Sequence, residues 1–116
     1  MAILEYQSDG VFLPERIAAT LLTTRDEIAR TVGLGRDAVS RRERVRSPAT
    51  QRRLREMVEI VNLATPRFGT AAIAYAWYRS EPLAGFDGMT AMDLVREGHA
   101  DWVRDYLAAI DAGVFA

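Results

Sequence analysis

The sequence predicts an all-α fold, with an N-terminal helix-turn-helix lobe followed by a small helical C-terminal lobe. Three observations carry that expectation. Apolar residues recur at three- and four-residue intervals in separate stretches, the spacing of one-sided helices. Ser or Thr stands before most of these stretches in capping positions, and Gly or Pro follows. No alternating apolar and polar run of any length is present, and no internal repeat.

The chain has 116 residues, enough for one domain or for two small lobes that share a core. With 49% hydrophobic and 27% charged residues the composition is globular rather than disordered. Cysteine is absent, which excludes thiolate chemistry and fits a reducing compartment. No apolar run approaches the ~20 residues of a membrane span, and MAILEYQSDG lacks the pattern of a signal peptide. A cytoplasmic location without membrane contact is therefore expected.

Residues 1–13 read as an arm or a short extended segment. Pro14 opens a helix with Ile17, Leu21 and Leu22 facing inward. Thr24 and Glu27 have the spacing of a capping box, opening a helix with Ile28, Ala29 and Val32 on one face, which Gly33 closes. From Arg25 to Arg44 the chain has the spacing of a helix-turn-helix. Ala29 is the small residue where two helices cross, Gly33 makes the turn, and Leu34 and Val39 lock the second helix. Arg42 departs from the pattern, because a further apolar residue is expected there. With Ala38 and Val39 inward, Asp37, Ser40, Arg41 and Arg44 fall on the outer face, and Arg36 stands at the helix start. Arg36, Ser40, Arg41 and Arg44 are thus the candidates for DNA contact. The same face also reads as solvated, salt-bridged basic surface.

Ser47-Pro48 starts a long helix expected to run to about Ala64 and to end at Thr65-Pro66. Its stripe of Leu54, Met57, Val58 and Val61, widened by Ile60, Leu63 and Ala64, is broad enough for contacts on two sides, with both lobes or across a dimer. This region, residues 14–64, forms the first lobe, and residues 65–116 the second. From Thr70 a further helix brings Ile73, Ala74 and Trp77 onto one face, and Glu81-Pro82 breaks it. Thr90 and Asp93 then make a capping box for a short helix that Gly98 ends. Asp101 is the next N-cap candidate, and Val103, Tyr106, Leu107 and Ile110 form the stripe of a last helix that stops at Gly113. An apolar tail follows, Gly113-Val114-Phe115-Ala116, suited either to a partner's cleft or to folding back on its own core.

Charge is uneven although the net charge is -1. Eight arginines lie between Arg36 and Arg55 against Asp37 and Glu43, whereas six acids follow Phe86 against Arg96 and Arg104. One part suits a polyanion, the other something basic or apolar. Catalytic chemistry has no obvious carriers. His99 is the single histidine, Gly33-Leu34-Gly35 lacks the lysine of a phosphate loop, and no metal-ligand spacing is present. No cofactor, no metal and no enzymatic activity are expected.

Trp77 followed by Pro82, Gly88 before Thr90-Ala91-Met92-Asp93-Leu94-Val95, then Gly98, Val103, Leu107 and the closing Gly113-Val114-Phe115 give the stretch from Trp77 a specific order. It resembles the C-terminal toxin-binding domain of the Xre/MbcA/ParS antitoxin family, departing at Ala91, where many members have proline. The resemblance implies an Xre-like helix-turn-helix lobe followed by a toxin-binding lobe. It implies an antitoxin that pairs with a RES-domain toxin encoded in the same operon, a toxin that consumes NAD. Members of the family also tend to form homodimers and to repress their own operon. Carried over to this chain, Gly113, Val114, Phe115 and Ala116 would cover the toxin's cleft, supported by Leu107, Ile110, Trp102 and Tyr106, while Arg36, Ser40, Arg41 and Arg44 would meet operator DNA. Two other readings use the same residues: a stand-alone helix-turn-helix regulator whose C-terminal lobe only dimerises, and an adaptor that never touches DNA.

Overall fold

The computed structural model describes residues 6–35, 37–38 and 41–113, apart from the side chain of Arg42. The described residues are mostly helical, as the sequence predicts. They form a hairpin of strands β1 (Gln7–Ser8) and β2 (Val11–Phe12), then helices α1 (Pro14–Leu21), α2 (Arg25–Val32), α3 (Arg42–Val45), α4 (Pro48–Phe68), α5 (Ala71–Ser80), α6 (Ala91–Arg96) and α7 (Ala100–Asp111).

The N-terminal segment is more ordered than an arm. Asp9 and Gly10 both have positive φ, 52° and 77°, which suits the tight turn that joins twisted antiparallel strands. Ser8 faces Val11 and Gln7 faces Phe12. The turn sends Tyr6 and Phe12 into the core. Gln51 on α4 then fastens the hairpin. Its side-chain oxygen accepts from the Phe12 N–H at 2.8 Å, and its amide donates to the carbonyls of Phe12 and Val45 at 3.0 and 2.7 Å. One side chain thus replaces the ladder partners that an edge strand lacks.

Helix α4 is the axis of the molecule. Leu54, Met57, Val58, Ile60 and Val61 are fully buried, and the helix packs against α2, α3, α5, α6, α7 and β2. Among the described residues one hydrophobic cluster, from Tyr6 to Leu107, is built around it. The broad stripe therefore meets elements of its own chain on both sides. Leu63 falls outside the stripe and is exposed. Ser47 caps the start by accepting from the Thr50 N–H. The helix does not end at Thr65-Pro66: it runs to Phe68, with Pro66 inside its last turn. Proline there removes one hydrogen bond near an end where few remain, and its fixed φ is helical. Burial of Ala64 and Thr65 holds the turn in place.

Other expectations need correction at their edges. Leu22 is 81% exposed rather than inward, because it takes the left-handed conformation (φ 60°) that ends α1. Ile73 is exposed, and α5 buries Ala71, Ala74, Tyr75, Trp77 and Tyr78 instead. Helix α7 begins at Ala100 with His99 at its N-cap, so Asp101 lies in the first turn and caps nothing. Thr24 caps α2 through the Glu27 N–H, yet the Glu27 carboxylate goes to arginines instead of back to Thr24.

The C-terminus of α2 is held by side chains from two other helices. Arg96 of α6 donates to the carbonyls of Thr31 and Arg30, and Arg53 of α4 donates to that of Val32 at 2.9 Å. These are carbonyls that a helix end leaves without intrahelical partners, and positive charge is favourable there. Gly33 makes the arrangement possible: its φ is 74°, and a Cβ would meet the Arg53 guanidinium at 3.2 Å. Thr31 also shares a 2.7 Å hydrogen bond with the Tyr75 hydroxyl, tying α2 to α5. Burial pushes the Tyr75 phenol up from its ordinary range.

Tyr78 is the contrasting case. It is fully buried, and its hydroxyl has no hydrogen-bond partner among the described residues. Burial drives its ionisation far upward. A buried hydroxyl without a partner costs about 1–3 kcal/mol. Tyr78→Phe is therefore expected to leave stability unchanged or raise it by about 1 kcal/mol, read as the midpoint of urea unfolding. A loss above ~1 kcal/mol would contradict the absence of a partner.

Candidate partner-binding surface

Helix α7 has two faces. Val103 and Leu107 point into the core with 0% and 4% exposure, while Trp102 stands out at 44%. The helix is fixed to α4 by Arg104, which donates to Glu59 at 3.2 Å, and by Asp111, which accepts from Arg67 at 2.6 Å. Arg55 shares Glu59 at 3.7 Å. Exposed pairs of this kind contribute little, and burial of Val103 and Leu107 sets the rotation of α7. That rotation decides which apolar residues remain outside.

An aromatic group covers the outer side. The His99 imidazole stacks on the Trp102 indole with 3.6 Å between centroids and 5° between planes. Phe86 approaches Trp102 at 6.3 Å and Tyr106 at 6.1 Å, the second edge-on. Phe86 comes from the loop between α5 and α6, which closes through hydrogen bonds from Leu83 N–H to the Met89 carbonyl and from Met89 N–H to the Phe86 carbonyl. Pro82 and Thr90 bridge at its neck. Thr90 and Asp93 exchange both hydrogen bonds of the capping box, so α6 starts at a defined point beside the loop.

The structure brings Trp102 and Tyr106 together on this surface, with Ile110 half-buried further along the helix. Leu107 lies on the opposite side and belongs to the core. Gly113 follows the helix with φ 84°. Val114, Phe115 and Ala116 lie outside the described residues. Phe86 and His99 also belong to this surface, a place that the sequence pattern does not assign them. A signal for His99 existed, since it stands three residues before Trp102. Phe86 had none beyond its place between Gly85 and Gly88, because the pairing with α7 depends on how the loop folds.

The arginine-rich segment presents a different surface. Arg41, Arg44, Arg46 and Arg52 are exposed, and Arg41 lies 4.0 Å from Asp37. Arg36 and Ser40 lie outside the described residues. The expected second helix is not continuous to Arg44. Arg41 has extended backbone (φ −88°, ψ 125°) and precedes the separate short helix α3. The sequence offers a reason: positions 40 to 44 contain no apolar residue to hold a helix on the core, whereas Val45 is buried and anchors α3.

Among the described residues no helix is long and apolar enough to cross a membrane. Neither the curated proteins nor the solved structures contain a match to the chain. A family match does exist, over residues 63–113, to the antitoxin Xre/MbcA/ParS C-terminal toxin-binding domain. That stretch comprises the end of α4, α5, the Phe86 loop, α6 and α7, and it includes every aromatic of the surface just described. Over residues 63–113 the chain therefore matches the antitoxin Xre/MbcA/ParS C-terminal toxin-binding domain.

Proposed function

We propose that the chain is the antitoxin of a type II toxin–antitoxin pair, that its partner is a RES-domain, NAD-degrading toxin encoded in the same operon, and that it neutralises the toxin by occluding the active-site cleft. The observation that carries this reading is the coincidence of the family match with an aromatic group against α7 from which Trp102 stands out exposed. Trp102, Tyr106 and Phe86 supply large, stiff contact area of the kind that dominates protein interfaces. The segment Gly113, Val114, Phe115 and Ala116 continues from the same helix and enters the cleft. Its apolar side chains take the place of substrate there, while Ile110 rests at the rim. Leu107 supports α7 from inside. The antitoxin does no chemistry of its own.

The N-terminal region, residues 14–64, acts in this proposal as the operator-binding lobe, through Arg36, Ser40, Arg41 and Arg44, in a homodimer that represses the operon. Guanidinium groups are suited to phosphate and to base edges. The exposed arginines favour a second reading as well, in which the protein is a stand-alone regulator and the C-terminal domain only dimerises.

Co-expression of the chain with the product of the adjacent gene decides between them. The first reading expects a complex that survives purification, restored growth and preserved cellular NAD. Purification of the chain without the toxin, with growth still arrested and NAD depleted, would rule it out.

A further inference from the structure

An open pocket of about 490 Å³ lies where α2, α5 and α6 meet, and none of its lining residues belongs to the aromatic group on α7. Three guanidinium groups line it, Arg30 from α2, Arg79 from α5 and Arg96 from α6, against the single carboxylate of Glu27. Glu27 is shared: one oxygen accepts from Arg30 at 2.5 Å and the other from Arg79 at 2.9 Å. The hydrogen bond from Arg30 holds the Glu27 carboxyl below its usual range. One carboxylate between two guanidinium groups leaves positive charge over, and Arg96 adds to it.

The remaining geometry narrows the ligand. Arg96 spends its Nε and one Nη on the carbonyls of α2, whose negative end offsets part of its charge. Arg79 lies over the Tyr75 ring at 5.2 Å, which fixes the direction of its fork. The hydroxyls of the wall are occupied, Ser80 donating to the Ala76 carbonyl and Thr31 to that of Glu27. The recognising donors are thus the free N–H groups of the arginines. Ala76 and Met92 supply apolar wall. Three guanidinium groups against Glu27, with Asp26 also acting on Arg30, leave an excess of positive charge, which suits a phosphate monoester carrying about −1.5 to −2 at neutral pH. Arginine forks also fit phosphate oxygens. The volume exceeds that of a phosphate alone and lies within the usual range of small-molecule sites.

We infer that this cavity is a binding site for a small phosphate monoester, the phosphate held between Arg30 and Arg79 and the organic part lying on Ala76 and Met92. The site joins α2, which lies outside the family match, to α5 and α6, which lie inside it. Occupancy would add a bridge between helix α2 and the helices of residues 63–113. The inference rests on the cavity alone and stands whether or not the toxin reading holds.

The test is titration of the full chain with phenyl phosphate and with inorganic phosphate by calorimetry, with chloride and benzoate as controls at matched ionic strength. Phenyl phosphate is expected to bind saturably at one site and more tightly than inorganic phosphate. Arg30→Gln and Arg79→Gln are each expected to weaken it about tenfold or more. Glu27→Gln, which removes the competing negative charge, is expected to tighten it about fivefold, as one charge at ~4 Å in a water-like dielectric implies. Phosphates that bind no better than chloride would overturn the site. Benzoate that binds as tightly as phenyl phosphate would overturn the phosphate assignment, and so would a Glu27→Gln affinity equal to that of the wild type. Circular dichroism verifies that each variant is folded, and the wild-type titration stands without them.

Discussion

Deletion of Val114, Phe115 and Ala116 is expected to weaken toxin binding by about two to four orders of magnitude and to abolish rescue of growth. Complete desolvation of Val114 and Phe115 contributes about 1.5–3 kcal/mol each, and ~1.4 kcal/mol corresponds to a tenfold change in affinity. The ordering cost is modest, because helix α7 fixes the chain up to Asp111. The fold itself is expected to survive. Among the described residues the core cluster extends no further than Leu107, and the ion pair of Asp111 with Arg67 is retained in the shortened chain. The thermal midpoint of the truncated protein should therefore stay within a degree or two of the full chain, at about ±0.5 kcal/mol. A shortened chain that still protects cells making the toxin would refute the occlusion mechanism, even if the complex forms.

The second prediction separates the two faces of α7. Leu107→Ala is expected to cost about 2–5 kcal/mol of folding stability, since it opens a cavity beneath a residue that is 4% exposed. Trp102→Ala is expected to cost under ~1 kcal/mol of stability, because the indole is 44% exposed and loses mainly its stacking on His99. Its effect on toxin binding should be the larger one, at least about 2 kcal/mol, or roughly thirtyfold in affinity. Denaturant unfolding of the free protein and titration against the toxin read the two quantities separately. If Trp102→Ala binds like the wild type, the aromatic surface is not the contact and the tail acts without it. Reduced binding by Leu107→Ala, once corrected for the folded fraction, would place a core residue in the interface.

Much of the architecture was legible from local signals. Ser47 and Pro48 mark the start of α4, Thr70 the start of α5 and the Thr90–Asp93 pair the start of α6, because each satisfies backbone groups within three residues of itself. The stripe of α4 and the stop of α2 at Gly33 were legible for the same reason. The order of residues from Trp77 onward carried the family assignment, which the match over residues 63–113 bears out. The hairpin was missed although Asp9-Gly10 is its ordinary signal, because strands of two residues show no alternation.

The sequence by itself determined the helical class, the caps at Ser47 and Thr90 and the family that residues 63–113 match, all of which depend on neighbours along the chain. Only the tertiary structure decided which side of each helix faces outward and which charges meet. Leu22 and Ile73 are as apolar as their buried neighbours, yet they are exposed because a left-handed cap and the rotation of α5 turn them away from α4. Phe86 joins Trp102, Gln51 holds Phe12, and Arg96 caps α2 across 65 positions of sequence. Such pairings follow from the packing of whole elements around α4, and no local pattern encodes the distance between residues that are far apart in the chain.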